Sequence, residues 1–145
     1  MEIEFPDINR YIEIDDNAMD GLNFISFFEK FNYENLETLE MILSFCEYAP
    51  EMNDLVERLK HCRNEVYERK DPLRNSGMYF DEEIKRLDFY ELGLLYKLLE
   101  EASLCASSNE MYEEESVYLA YLEDYTYEEI EKRASLQTKR LKKKD

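Results

Sequence analysis

Apolar side chains recur at three- and four-residue spacing through most of this 145-residue chain, the period of helices that bury one face. The opening differs. Ile3-Glu-Phe5-Pro-Asp-Ile8-Asn-Arg-Tyr11-Ile12-Glu-Ile14 mixes β-branched and aromatic residues in partial alternation, which predicts one or two short strands or an extended arm. From about Ala18 the spacing of Leu22, Phe24, Ile25, Phe28 and Phe31 predicts a first helix. Asn32 to Glu34 resets the chain, and Leu36, Leu39, Ile42, Leu43 and Cys46 then form the stripe of a second helix that stops before Pro50. Pro50 suits the first turn of a third, in which Met52, Leu55, Val56, Leu59, Cys62 and Val66 repeat for about four turns before Asp71-Pro72. On its outer side, Asp54 with Arg58 and Glu65 with Arg69 have the spacing of helical ion pairs.

Leu73-Arg-Asn-Ser-Gly77 is the clear interior loop signature, and any lobe boundary is expected there. The run from Phe89 to Leu99, continued by Ala102 and Cys105, is apolar around most of a helix and belongs in the middle of a bundle. Ser107 with Glu110, and Thr126 with Glu129, have the spacing of capping boxes and predict two further helix starts. The expected fold is mainly α: a single compact bundle of about five to six helices, with a short N-terminal strand or hairpin as an added option. Residues 1–131 are expected to form an acidic helical domain and residues 132–145 a basic helix end or tail.

Composition supports a folded chain, because 44% hydrophobic and 14% aromatic residues supply a core despite 37% charged residues. Three glycines and three prolines are too few to punctuate a many-stranded sheet. The net charge of −17 is unevenly placed: residues 1–131 carry 34 acids against 11 bases, and the remaining segment carries seven bases and one acid. Such a body repels nucleic acid and anionic membrane and attracts basic partners. Cys46, Cys62 and Cys105 lack paired spacing and read as buried free thiols of a reducing compartment. With no long apolar run and no basic, signal-like opening, a cytoplasmic location is expected.

Enzyme chemistry has little to build on. His61, the single histidine, falls opposite the stripe of its helix and should face solvent. Neither Cys-x-x-Cys nor His-x₃-His spacing points to a metal, and no phosphate loop, nucleophile elbow or Glu-x-x-His pair is present. No catalytic, cofactor or metal role is therefore assigned. The distribution of acid is the unusual feature. Between Tyr11 and Glu57, Lys30 is the one base against 12 acids, and between Leu98 and Glu131 there are 11 acids and no base.

On the second helix Glu37, Glu40, Ser44 and Glu47 share the side opposite the leucines, so carboxylates recur there roughly every 5–10 Å. Carboxylates rowed on rigid helices can occupy a cleft evolved for phosphates. The candidate contacts are Glu34, Glu37, Glu40 and Glu47 with Glu113, Glu114, Glu115, Glu123, Asp124, Glu128 and Glu129. Tyr118, Tyr121 and Tyr125 form a stripe that reads either as packing or as an amphipathic contact surface.

The tyrosine-rich acidic segments Met111-Tyr-Glu-Glu-Glu115 and Tyr121-Leu-Glu-Asp-Tyr-Thr-Tyr-Glu-Glu129 are similar to those of small acidic DNA-mimic inhibitors of phages and mobile elements. That group includes the T7-type anti-restriction protein, the ArdA family and several anti-CRISPR proteins. Ile12-Glu-Ile-Asp-Asp16 through Gly21-Leu-Asn23 to Phe45 resembles the acidic helical middle of ArdA. The resemblance implies a phage-borne, non-enzymatic inhibitor of a host defence nuclease, working in the host cytoplasm on a basic, nucleic-acid-binding protein. Two other readings use the same residues: an immunity or antitoxin protein covering a basic toxin, and a helical assembly or adaptor protein docking through apolar surface. Self-association as a homodimer is a further expectation of such a surface.

Overall fold

The structure, a computed structural model, describes residues 23–74 and 77–143, with side chains as far as Ser135. Six α-helices joined by three short 3-10 turns make up these residues, and no strand occurs among them: α1 (Phe24–Glu29), α2 (Tyr33–Cys46), α3 (Asn53–Arg69), α4 (Phe80–Ile84), α5 (Phe89–Ser107) and α6 (Glu113–Lys143). The strand or arm expected over Ile3–Ile14 lies outside the described residues.

Local chemistry sets most boundaries. α1 starts at Phe24, where Asn23 is extended and its side chain accepts from the Ser26 amide; the earlier part of the first-helix reading, from Ala18 to Leu22, lies outside the described residues. Asn32 does the same for α2 through the Asn35 amide at 2.9 Å. Pro50 opens a 3-10 turn that leads directly into α3. Asp88 and Glu91 close a reciprocal capping box at the start of α5. At Gly77 the backbone is left-handed, φ 71°, a conformation open mainly to glycine, which agrees with the loop read there.

Both helix starts assigned to capping-box spacing differ from the structure. Ser107 closes α5, with its hydroxyl donating to the Leu104 carbonyl, and Asn109 caps the turn that precedes α6. Thr126 is buried inside α6 and donates to Leu122 O at 2.7 Å, so one 31-residue helix stands where two were expected. The proposed division between residues 131 and 132 falls within this helix.

A single buried cluster holds the bundle, with side chains from every helix and no break at the 73–77 loop. α5 lies between α2 and α6, α3 packs on the other side of α2, and α1 packs on α3. The central position of α5 follows from its wide apolar face: Leu92, Leu94, Leu95, Leu98, Leu99, Ala102 and Ala106 are all buried. Phe27, Phe28 and Phe31 pack edge to face, and Phe31 stacks on Phe80 at 5.3 Å, which seats the five-residue α4 against α1.

The core also has a polar part that the apolar pattern does not announce. Glu83, 1% exposed, accepts from the Asn32 amide at 2.9 Å and from the Asn35 side chain, and both asparagines also donate to Met78 O. Buried Glu91 receives Lys30, which ties the end of α1 to the start of α5. Arg133 donates to the Lys85 and Leu87 carbonyls and so clamps α6 over the α4–α5 connection.

Candidate partner-binding surface

The acids predicted to meet a partner lie on two helices in different circumstances. On α2 the leucine stripe points inward, so Glu34, Glu37, Glu40 and Glu47 are exposed. Three of them turn to α3. Lys60 forms an ion pair with Glu47, Arg63 Nη2 lies 3.1 Å from Glu40 Oε2, and the Tyr67 hydroxyl is 3.0 Å from Glu37.

Arg63 is 3% exposed and is fixed further by the Leu36 carbonyl at 3.0 Å and by stacking over Tyr67 at 4.4 Å. Tyr67 also stacks on Tyr33 and is hydrogen-bonded to its hydroxyl; that bond, then burial and Glu37, pushes the Tyr67 hydroxyl well above the usual phenol range. Most of the α2 row thus serves as one side of an α2–α3 clasp. The bases of that clasp come from a helix whose polar face the sequence pattern marks only for ion pairs within itself.

α6 is different. Glu113, Glu114, Glu115, Glu123, Asp124 and Glu128 form no salt bridge with any described base, whereas Glu129 pairs with Arg133 at 3.2 Å. Leu119, Leu122, Thr126 and Ile130 define the buried side, and at 100° per residue Glu113, Glu114, Asp124 and Glu128 project from the opposite one. The acids form two groups, one in the first turn and one around Asp124–Glu128, about 15 Å apart along the axis. Exposed Val117 and Tyr121 fill the interval.

Two local forces support this arrangement. Three glutamates in the first turn complement the helix dipole, and burial of the other face leaves charge only one side to occupy.

The titrating groups along α6 register the resulting field. Glu123 is shifted up by burial, then by Glu100 of α5 and by Asp124. Tyr96 is raised by burial and then by Glu100 and Glu123; Tyr121 is raised chiefly by Asp81, whose carboxylate is 3.3 Å from its hydroxyl. The tyrosine stripe divides accordingly: Tyr118 and Tyr121 are exposed, while Tyr125 is half-buried and its ring sits 6.3 Å from that of Tyr121.

The remaining candidate chemistry is dispersed. His61 is exposed, and all three cysteines are free; only Cys46 is fully buried, with Cys62 and Cys105 half-buried rather than sequestered as expected. Among the described residues no group of three or more His, Cys, Asp or Glu is placed to hold a metal ion, and no helix is long and apolar enough to cross a membrane. Comparison of the chain with protein-family models, curated proteins and solved structures gives no match.

Proposed function

We propose that the chain is a non-enzymatic inhibitor, phage-borne, that lays the outward face of α6 in the basic nucleic-acid cleft of a host defence nuclease. The observation that carries this reading is the set of six carboxylates between Glu113 and Glu128, paired with no described base and held on one rigid helix, with Glu113, Glu114, Asp124 and Glu128 on its outward face and Glu115 and Glu123 half-buried beside it. Spread over about 22 Å, they offer a protein cleft the charge of a short stretch of nucleic-acid backbone without its flexibility. Glu34 of α2 is a further exposed acid without a described ion pair, while Glu37, Glu40 and Glu47 act mainly within the fold.

The test is competition against labelled DNA on a panel of restriction and CRISPR nucleases. Changing the six α6 acids together to Gln or Asn is expected to abolish inhibition of the sensitive enzyme, and the wild-type effect should weaken steeply with salt. Inhibition that survives neutralisation refutes the reading. An immunity or antitoxin role predicts one cognate basic toxin in place of sensitivity across nucleases.

Docking of an assembly partner through apolar surface has its own support in exposed Met111, Val117, Tyr118 and Tyr121. It predicts binding that tolerates salt and is lost in Val117→Ser/Tyr121→Ser.

A further inference from the structure

A chain of net charge −17 concentrates a large share of its bases in one place. Lys30, Arg69, Lys70, Arg74 and Arg86, five of the twelve bases among residues 23–135, line a half-open cleft of about 430 Å³. They arrive from the α1–α2 turn, the end of α3, the turn after it and the end of α4. Glu29, Asp71 and Glu83 are the acids of the same wall.

Lys30 is already paired with buried Glu91, and the acids of the wall position the other four cations without saturating them. Glu83 is held by the Asn32 amide and the Asn35 side chain, and its second oxygen stands 3.5 Å from Arg86 Nη1. Arg69 lies 3.9 Å from Glu29 and Arg74 3.8 Å from Asp71, beyond hydrogen-bond length. Lys70 donates to the Glu29 carbonyl at 2.9 Å, a neutral acceptor that fixes its position and leaves its charge in place. A guanidinium has five N–H donors, so one carboxylate neighbour leaves most of them to meet a second anion. Arg86 is held from beneath by a buried carboxylate, and Arg69 and Arg74 are 57% and 89% exposed at the rim.

We propose that this cleft binds a compact, multiply charged oxyanion, the phosphate or pyrophosphate group of a small phosphorylated molecule. Planar guanidinium forks are the side chains best matched to phosphate oxygens. The ligand is small because Glu34, Glu37, Glu65 and Glu68 lie on the same stretches of α2 and α3, and an extended polyanion would have to pass them. The inference is independent of the α6 reading, since none of its residues lies on that helix.

The probe is inorganic pyrophosphate, titrated into the isotope-labelled full chain and followed by amide NMR against sodium chloride of equal ionic strength. Saturable shifts confined to residues 29–33, 69–74 and 86 are expected, with inorganic phosphate binding more weakly in the same place. Arg69→Gln and Arg74→Gln, both at exposed positions, should each weaken pyrophosphate about tenfold, the scale of a lost charged hydrogen bond, with the circular dichroism spectrum unchanged. Lys97→Gln, which changes a base outside the cleft, should bind as the unaltered chain does. Shifts that match the chloride control, that centre on the basic C-terminal segment, or that persist at full affinity in both arginine variants overturn the proposal. So does a short DNA duplex that displaces pyrophosphate from the same residues.

Discussion

Glu83→Ala puts the buried polar network to a quantitative test. The carboxylate is 1% exposed and serves as acceptor for a buried backbone amide, 2.9 Å away, and for one amide hydrogen of Asn35, whose other bond goes to Met78 O. Truncation takes this acceptor from both donors at a nearly buried site, and each donor deprived of it costs about 1–3 kcal/mol. Arg86, 57% exposed, loses a neighbour but keeps its hydration, so its share is small.

With the void left by the missing methylene and carboxylate added, the expected loss is about 3–5 kcal/mol, the range found when one partner of a buried charged pair is removed. Glu83→Gln keeps the shape and one acceptor oxygen but turns an NH₂ group toward Arg86, and about 1–2 kcal/mol is expected. Urea unfolding followed by circular dichroism measures both; at a slope of about 2 kcal/mol per molar, the Ala variant should unfold about 1.5–2.5 M earlier. An Ala loss below about 1 kcal/mol, or a Gln variant as damaged as Ala, would refute the assignment of this energy to acceptor satisfaction.

Two further outcomes follow from the shifted groups. Burial raises the Cys46 thiol to about 12, and its hydrogen donates to Leu98 O, so at pH 8 only about one molecule in ten thousand carries the thiolate. Native protein should therefore resist iodoacetamide at Cys46 and label there only after unfolding, as peptide mass spectrometry will show; labelling at the rate of a free thiol contradicts it. Glu123 binds its proton more tightly folded than unfolded, so ionising it costs stability above its raised folded value, and the cost disappears once pH falls below the ordinary 4.5. Glu123→Gln is accordingly expected to raise the melting temperature at pH 7 and leave it unchanged near pH 3, and equal gains at both would exclude the mechanism.

α2, α3 and α5 are legible in the sequence because each buries a stripe with a clean helical period, and the wide face of α5 even announces its central position. α4 escapes because five residues, Phe80 and Ile84 flanking three acids, carry one i,i+4 repeat and no stripe. Thr126 misleads for a definable reason: a Thr-x-x-Glu spacing caps a helix only where the chain has yet to enter one, and here the hydroxyl bonds back to the preceding turn. The Asp88–Glu91 box that does form has a spacing repeated elsewhere in so acidic a chain, so nothing local marks it out.

Eight of the eleven acids named from sequence are exposed, while Glu115, Glu123 and Glu129 are half-buried, and sequence cannot show that Lys60, Arg63 and Tyr67 reach back to α2 across 13 to 30 residues. The basic cleft is hidden for the same reason, its cations being separated in the chain by up to 56 positions, from Lys30 to Arg86.

α6 is about 46 Å long, begins with three glutamates and gathers its lysines and arginines from Lys132 onward. Opposite charges at the two ends of a stiff rod make it turn in an external field, as a needle does. A basic trough would draw in the glutamate end and push the other away, so the approach has a preferred heading before any atom touches. Reversing that heading by moving the lysines to the front of the helix would leave the net charge unchanged and alter the rate of productive encounter.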